Sequence, residues 1–424
     1  MSLFRLLGRG LSIGLTFLFH AVIWFAGWLG MLLTLRPKAT RQRWQGERLR
    51  CLLRDLGATY VKVGQIMSSR PDIFPEHIVK SLERLQDDVG QFAYRHVEKT
   101  LRGEFGKGPA DLFATFDVQP IASASVAQVH SAYLHDGTRV AVKIRRPNLA
   151  RRTQFDLTIM RGAARLLEVI PPMRIYAPHA SAREFSSAIE QQIDLTLEAK
   201  NNVRFHRHFA NSDDIVLPDL IPDLCSEKVL TMTFIEGVKV MHFAETDANP
   251  TSLAKIGFHT LLKMIFDDGF VHADLHPGNI LITPDNKVAL LDLGLTAELT
   301  DEYRRVFAEF FGAWASGDGK TMAKQMVAFS PDAHVPDYKA FEAEISEFVA
   351  RYDGKQLGEV AVSEVVFDMM GIMRRHRVRV NAVFTMVNIA IAVTEGIGRQ
   401  LDDTLDLLSE AVPFFVGLKQ AGRL

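Results

Sequence analysis

Cysteine is nearly absent. Cys51 and Cys225 are the only two in 424 residues, far apart and without Cys-x-x-Cys spacing. That excludes a disulfide framework, argues against a zinc site and fits a reducing compartment. A bias of charge is lacking too. The formal net charge is −1, and no stretch interleaves basic with aromatic side chains, so no nucleic-acid partner is expected. What is present is ordinary for a globular chain, with 47% hydrophobic and 23% charged residues, and the length suffices for two lobes and a large core.

The N-terminus departs from this plain picture. Residues 11–35 carry no charge and include Phe17, Phe19, Trp24, Phe25 and Trp28. Such a run has the length of a bilayer span, roughly 20 residues or more. It is too long for a signal peptide, and no small-x-small cleavage site follows it. Arg5 and Arg9 precede it, whereas Arg36, Lys38, Arg41, Arg43, Arg48 and Arg50 follow. The heavier positive flank stays cytoplasmic. The expectation is therefore a single-pass anchor, in a bacterial inner membrane, with the rest of the chain on the cytoplasmic side. A buried helix, or one lying in the membrane interface, is the alternative, kept open by His20 near mid-span.

Residues 271–294 organise the rest. They read as a loop followed by a β-hairpin: the branched runs 280–282 and 288–291 flank a Pro284-Asp285-Asn286 turn. Asp274 stands five residues before Asn279, and Asp292 closes the second strand. Phosphoryl transfer from a nucleoside triphosphate needs this set. One carboxylate orients the nucleophile (Asp274), while an amide oxygen (Asn279) and a second carboxylate (Asp292) hold Mg²⁺ against the phosphates.

Other segments fit around that stretch. Residues 46–69 read as one helix, followed by helices near 77–85 and 92–105, so a helical extension precedes any strand. Strands over 126–133 and 139–144 flank His135-Asp136-Gly137, a hairpin signal. Lys143 lies on the second strand, where kinases carry a phosphate-binding lysine, and alternation places Ala141 and Lys143 together on a buried face. A long helix over 184–209 offers Glu198 as partner for that lysine. Residues 229–235 read as a strand, with Glu236-Gly237 as a hinge, and 253–268 as a helix. After Gly294 the helix beginning at Thr300-Asp301 follows at once, leaving no room for an activation loop or the Ala-Pro-Glu segment on which a peptide substrate would rest. Residues 381–393 suggest a buried helix too short to be a second span.

With these residues in place, the sequence resembles the UbiB family of atypical, protein-kinase-like proteins tied to ubiquinone and other isoprenoid-lipid metabolism. The resemblance covers roughly residues 49–401. Lys62-Val63-Gly64-Gln65 is similar to the family's Lys-x-Gly-Gln signature. Pro120-Ile121-Ala122-Ser123-Ala124-Ser125, then Gln128-Val129-His130, resembles the alanine-rich loop that replaces a glycine-rich phosphate loop. Glu198-Ala199-Lys200-Asn201 resembles Glu-Ala-x-Asn. His272-x-Asp274-x-His276-Pro277-Gly278-Asn279 and Asp292-x-Gly294 complete the set.

The resemblance implies an α+β, two-lobed kinase-like fold that binds ATP with Mg²⁺. Its layout would be a membrane anchor and basic flank (1–45), a helical extension (46–118), an N-lobe (119–236) and a C-lobe with a helical tail (237–424). Nucleotide binding would involve Ala122, Ser123, Ala124, Ser125, Lys143, Asn279 and Asp292. Catalysis would involve Asp274, Lys143 and Glu198, and Lys62, Gln65 and Asp194 would regulate access. In the family a Glu-x-Asp motif faces the lysine of the extension; here it reads Gln192-Ile193-Asp194, which leaves Asp194 as the partner of Lys62. Alanine and serine stiffen a phosphate loop relative to glycine, which disfavours general protein phosphorylation. The expected activity is that of an ATPase or small-molecule (lipid) kinase, with a membrane lipid or isoprenoid quinone precursor and quinone-biosynthesis enzymes as partners. Three alternatives stand beside it: an aminoglycoside-phosphotransferase-like kinase, a nucleotide-sensing scaffold or lipid-extraction factor with little turnover, and a metal hydrolase built on His272 and His276.

Overall fold

A computed structural model describes residues 3–34, 36–71, 73–85, 90–170, 178–330, 335–352, 362–403 and 414. The chain divides into two compact units. One comprises residues 1–70, 74–199 and 219–234, and the other comprises 71–73, 200–218 and 235–424.

The first unit begins with an apolar helix, α1 (Leu3–Leu33), followed by α2 (Lys38–Leu56) and α3 (Ala58–Ser68). The single helix expected over 46–69 is thus two. Gly57 divides them with φ +101°, a conformation open to glycine and strained for other residues. Helices α4 (Glu76–Leu82) and α5 (Tyr94–Phe105) follow, with a short α6 (Pro109–Leu112). Leu53, Leu56, Tyr60, Leu82 and Leu85 form one apolar cluster with Ile13 of α1.

The unit's sheet contains β1 (Thr115–Phe116), β2 (Ala122–Ser123), β3 (Ala127–Tyr133), β4 (Arg139–Arg145) and β6 (Val229–Thr233). Its order is β1-β3-β4-β6, with β2 also on β3. The β3–β4 hairpin turns at Gly137, φ +89°. Its alternation corrects one expectation: Val140, Val142 and Ile144 are fully buried and pack with Val97 and Leu101 of α5. Lys143 lies on the opposite, half-buried face. The branched residues take the dry side, as the hydrophobic effect dictates.

Three helices complete this part of the chain: α7 (Leu149–Val169), α8 (Pro178–Ile193) and α9 (Leu195–His208). The helix expected over 184–209 is therefore two. Asp194 causes the break. Its Oδ1 accepts from Thr196 N (2.9 Å) and Thr196 Oγ1 (2.7 Å), a side-chain acceptor that competes with the helical ladder.

The second unit holds a four-stranded sheet, ordered β5 (Ile215–Val216), β10 (Val288–Leu290), β9 (Ile280–Ile282) and β7 (Val238–Lys239). A two-stranded ribbon pairs β8 (Phe270–His272) with β11 (Thr296–Glu298). Helix α10 (Pro250–Leu262) leads to β8 through a π-helical turn, Lys263–Asp267. The remaining helices are α11 (Asp301–Ala315), α12 (Gly319–Ala328), α13 (Tyr338–Tyr352), α14 (Val362–Arg375) and α15 (Ala382–Leu401). Thr300 caps α11 by accepting from Tyr303 N. Phe307, Phe329 and Phe384 centre the helical core, with ring centroids 4.6 Å apart in two of the three pairs. Helix α15 runs longer than the expected 381–393, and by length and composition it could cross a membrane. It packs instead into this core, with Asn388 and Glu395 buried.

Candidate active site

In the first unit, the register of β4 between β3 and β6 sets Lys143 opposite Val129 and Leu230. Its Nζ donates to both carboxylate oxygens of Glu198, at 2.9 and 2.8 Å. The two side chains are 12% and 7% exposed. Leu195 N donates to Glu227 O (3.2 Å), fixing the start of the helix that carries Glu198.

The alanine-rich loop is a tight hairpin: Ala122 and Ser123 pair with Val129 and Gln128, and Ala124 N donates to Ala127 O (2.8 Å). Arg146 holds it, its guanidinium donating to Ala124 O (2.7 Å), Ser123 Oγ (2.9 Å) and Gly90 O (2.9 Å). No local pattern around Arg146 signals this clamp. Gln128 and His130 brace the strand behind the loop. Phe92 N donates to Gln128 Oε1, and the His130 ring joins Gln128 Nε2 (2.8 Å) to Asp117 O (2.8 Å). Burial holds the His130 pKa below the ordinary imidazole value. The neutral ring thus donates from Nδ1 to Asp117 O and accepts at Nε2. The Ser125 hydroxyl is buried and has no hydrogen-bond partner among the described residues.

In the second unit, His272 organises the loop after β8. It is fully buried, and burial lowers its pKa. Its Nε2 donates to Leu291 O (3.0 Å), and its Nδ1 accepts from Asp274 N (3.2 Å). Both ring nitrogens are engaged, which removes His272 as a metal ligand. His276 Nδ1 accepts from Gly278 N (3.1 Å) and caps the turn Pro277–Asn279. These two histidines brace a loop, and the hydrolase alternative falls with them.

Asn279 Nδ2 donates to Asp274 O (3.0 Å), and Leu291 N donates to Asn279 O (2.8 Å). The loop is thereby tied to the strand end that bears Asp292, an exposed residue whose φ is +51°. Leu293 is buried beside it, and its carbonyl accepts from Asn201 Nδ2 (2.9 Å). Asn201, the last residue of the Glu198-Ala199-Lys200-Asn201 motif, thus supports the Asp292-Leu293-Gly294 turn.

The extension residues stand differently. Gly64 is close-packed: an added Cβ would meet Leu85 Cδ1 at 2.3 Å. Gln65 Nε2 donates to Leu85 O (3.1 Å). Lys62 forms no ion pair with Asp194 among the described residues, and Asp194 serves instead as the cap of α9.

Residues 84–326 match the ABC1 atypical kinase-like domain family, and residues 345–406 match the UbiB helical domain family. The chain belongs to the UbiB family. It is 34% identical over 382 residues to a probable protein kinase UbiB of Vibrio atlanticus, covering 87% of this chain and 70% of that protein. A protein of the same name from Vibrio cholerae is 33% identical over 381 residues, with the same coverage. Among solved structures, Rv3197 of Mycobacterium tuberculosis, in complex with erythromycin, is similar in fold. Its TM-score is 0.54 at 21% identity, covering 80% of this chain and 88% of that one. The UbiB-family fold is kinase-like, mixed helix and strand, with an apolar N-terminal helix in this chain.

Proposed function

We propose that this UbiB-family protein binds ATP with Mg²⁺ and either hydrolyses it or passes its terminal phosphoryl group to a small-molecule or lipid acceptor, in support of ubiquinone biosynthesis at a membrane. The observation that carries the reading is the Lys143–Glu198 pair. Burying two charges costs more than an apolar pair of the same volume would. An oriented ammonium against a phosphate is a use that justifies that cost, and it is the use kinases make of this lysine.

The residues present fit the cofactor. Ser125 offers a buried hydroxyl in the loop next to the lysine strand. Asn279 and Asp292 offer hard oxygen donors, the type Mg²⁺ prefers, and phosphates complete its coordination. Asn279 and Asp292 would hold Mg²⁺, which would neutralise phosphate charge. Asp274 would orient the nucleophile, its backbone fixed on either side by His272 and Asn279. The acceptor is better read as small than as a peptide: from Gly294 the chain passes directly into β11 and the Thr300 cap, with no segment free to form a peptide platform. The kinase-like body would face the cytoplasm, and isoprenoid quinone precursors or quinone-biosynthesis enzymes would be its partners.

Two measurements on the full chain test this. Titration of ATP with and without Mg²⁺ should show metal-dependent binding that is lost in Lys143→Met. Formation of ADP should depend on Asp274 and rise with lipid extract or the true acceptor, with the phosphoryl group found on that acceptor or, where water is the acceptor, as free phosphate. Absence of nucleotide binding would overturn the reading; binding with unaltered ADP formation in Asp274→Asn would transfer it to a scaffold role.

A further inference from the structure

The apolar helix α1 is held along its length by the rest of its own unit. Near its N-terminus the Arg9 guanidinium pairs with Asp156 (2.9 Å) and donates to Leu56 O (2.6 Å). The Asp156 carboxylate has no exposed surface. Ile13 is buried in the cluster formed by α2, α3 and α4. At mid-helix His20 Nε2 meets Asp55 Oδ2 (3.0 Å). Further on, the rings of Trp24 and Trp44 lie 6.4 Å apart, and Gly27 sits so close to Trp44 that an added Cβ would meet the indole at 2.3 Å.

These contacts run from Arg9 to Gly27, about 27 Å at 1.5 Å per residue. That is nearly the whole thickness of a bilayer's hydrocarbon, about 30 Å. The partner along this length is α2, which carries Arg41, Arg43, Glu47, Arg48, Arg50, Arg54 and Asp55. A helix spanning the bilayer in this arrangement would draw those charges into hydrocarbon, at about 2.5–3.5 kcal/mol for each Arg or Asp at the centre of a span. Docking of this kind is incompatible with crossing.

The opposite face of α1 is open. Leu11, Leu15, Leu18, Phe19, Val22 and Phe25 are each 57–66% exposed, and 6% of the apolar window is buried. An apolar surface of that extent marks an interaction site. Arg36, Lys38 and Arg43, at the hairpin end and on α2, are exposed beside it. A groove of about 530 Å³ between the two helices, walled by Phe17, Trp24, Phe25, Leu49 and Leu52, continues the apolar surface and has Arg48 in its lining.

We propose that α1 lies in the plane of an anionic phospholipid surface, its Leu and Phe face in the acyl region and the cations of α2 at the headgroups, and that it does not cross the bilayer. The α1–α2 hairpin as a whole then has the two-faced character of an interfacial element. The inference refines the membrane part of the proposed function and is independent of nucleotide chemistry, so loss of ATP binding would leave it standing.

The test is made on the full chain in cell membranes. With Cys51 and Cys225 replaced by Ser, single cysteines are placed at Ser2 and at Glu302, and a membrane-impermeant maleimide is applied to inverted and to right-side-out vesicles. An interfacial helix exposes both sites in inverted vesicles and neither in right-side-out ones. A spanning helix exposes Ser2→Cys only in right-side-out vesicles, and that result overturns the proposal. A second measurement uses the purified chain. It should float with phosphatidylglycerol-containing vesicles and much less with phosphatidylcholine alone. The pair Phe19→Glu and Phe25→Glu should lower vesicle affinity about ten-fold or more, the scale of losing one buried aromatic side chain. Failure of the parent chain to float, or a face covered by a second copy in stable dimers that exclude vesicles, overturns it equally.

Discussion

In the first unit Lys143 and Glu198 meet as an ion pair, 12% and 7% exposed, whereas in the second neutral groups do the holding: the His272 ring and the Asn279 amide hold the loop of Asp274, and the Asn201 amide holds the turn of Asp292. A buried ion pair holds position strongly but leaves an uncompensated charge when either member is lost. Neutral hydrogen bonds hold less tightly and cost less to bury. The side chain proposed to meet phosphate is locked by charge, and those proposed to meet metal and acceptor are held through the backbone.

The largest effect should come from breaking the charged arrangement on one side. Lys143→Met should cost about 3–5 kcal/mol of stability by taking the ammonium away from the buried Glu198 carboxylate, read from denaturant unfolding. Adding Glu198→Leu should recover most of that loss while nucleotide binding remains absent. A double variant as unstable as the single one would mean that the pair is not what Glu198 depends on.

Next in size is the division of labour within the second unit. Asp274→Asn should lower ADP formation about 10²-fold or more, the scale of general-base effects, with MgATP binding nearly intact. Asp292→Asn should weaken MgATP binding strongly. Equal loss of binding in both variants would make Asp274 a metal ligand and erase the distinction.

A smaller effect should follow pH. The pKa values of His272 and His130 are lowered by burial. Near pH 6.5, the ordinary imidazole value, the unfolded chain therefore binds protons that the folded chain refuses. Stability should fall as pH drops below about 6.5 and go on falling until the folded rings titrate, with a limit of about 1.4 kcal/mol per pH unit for each ring. Melting temperatures between about pH 7.5 and 5.5 would show it, and His272→Gln should flatten the slope. An unchanged slope would remove His272 from the account.

The smallest effect belongs to the cap of α11. Thr300→Ala should cost about 1 kcal/mol and leave nucleotide affinity unchanged, since its bond to Tyr303 N serves only the helix.

Local chemistry made much of this readable. The turn at Pro284-Asp285-Asn286 and the branched runs beside it specify the β9–β10 hairpin, and Asp136-Gly137 specifies the β3–β4 one. The spacing from Asp274 to Asn279 foretold two groups on one loop, and the structure joins them by a hydrogen bond. What escaped is what depends on distant partners. Arg146 clamps residues more than twenty positions earlier, and Asn201 reaches a carbonyl ninety-two positions later. β8 and β11 have three residues each, too few for a period. The breaks at Gly57 and Asp194 were hidden inside helical patterns, because one glycine or aspartate barely alters a periodicity that the backbone nonetheless cannot follow. The face of β4 was misassigned for a related reason: alternation says which residues share a side, and only the packing of α5 says which side is dry.

Asp292 has a left-handed backbone, φ +51°, in a region that a side chain enters at a cost and glycine enters freely. Aspartate tolerates it better than most residues, but not as well as glycine. Stability and the proposed Mg²⁺-binding role therefore pull this position in opposite directions. A library of variants selected for heat resistance alone should enrich Asp292→Gly, and the survivors should be well-folded proteins that no longer respond to Mg²⁺ with ATP. The same library selected for nucleotide binding should retain the aspartate and accept the softer turn.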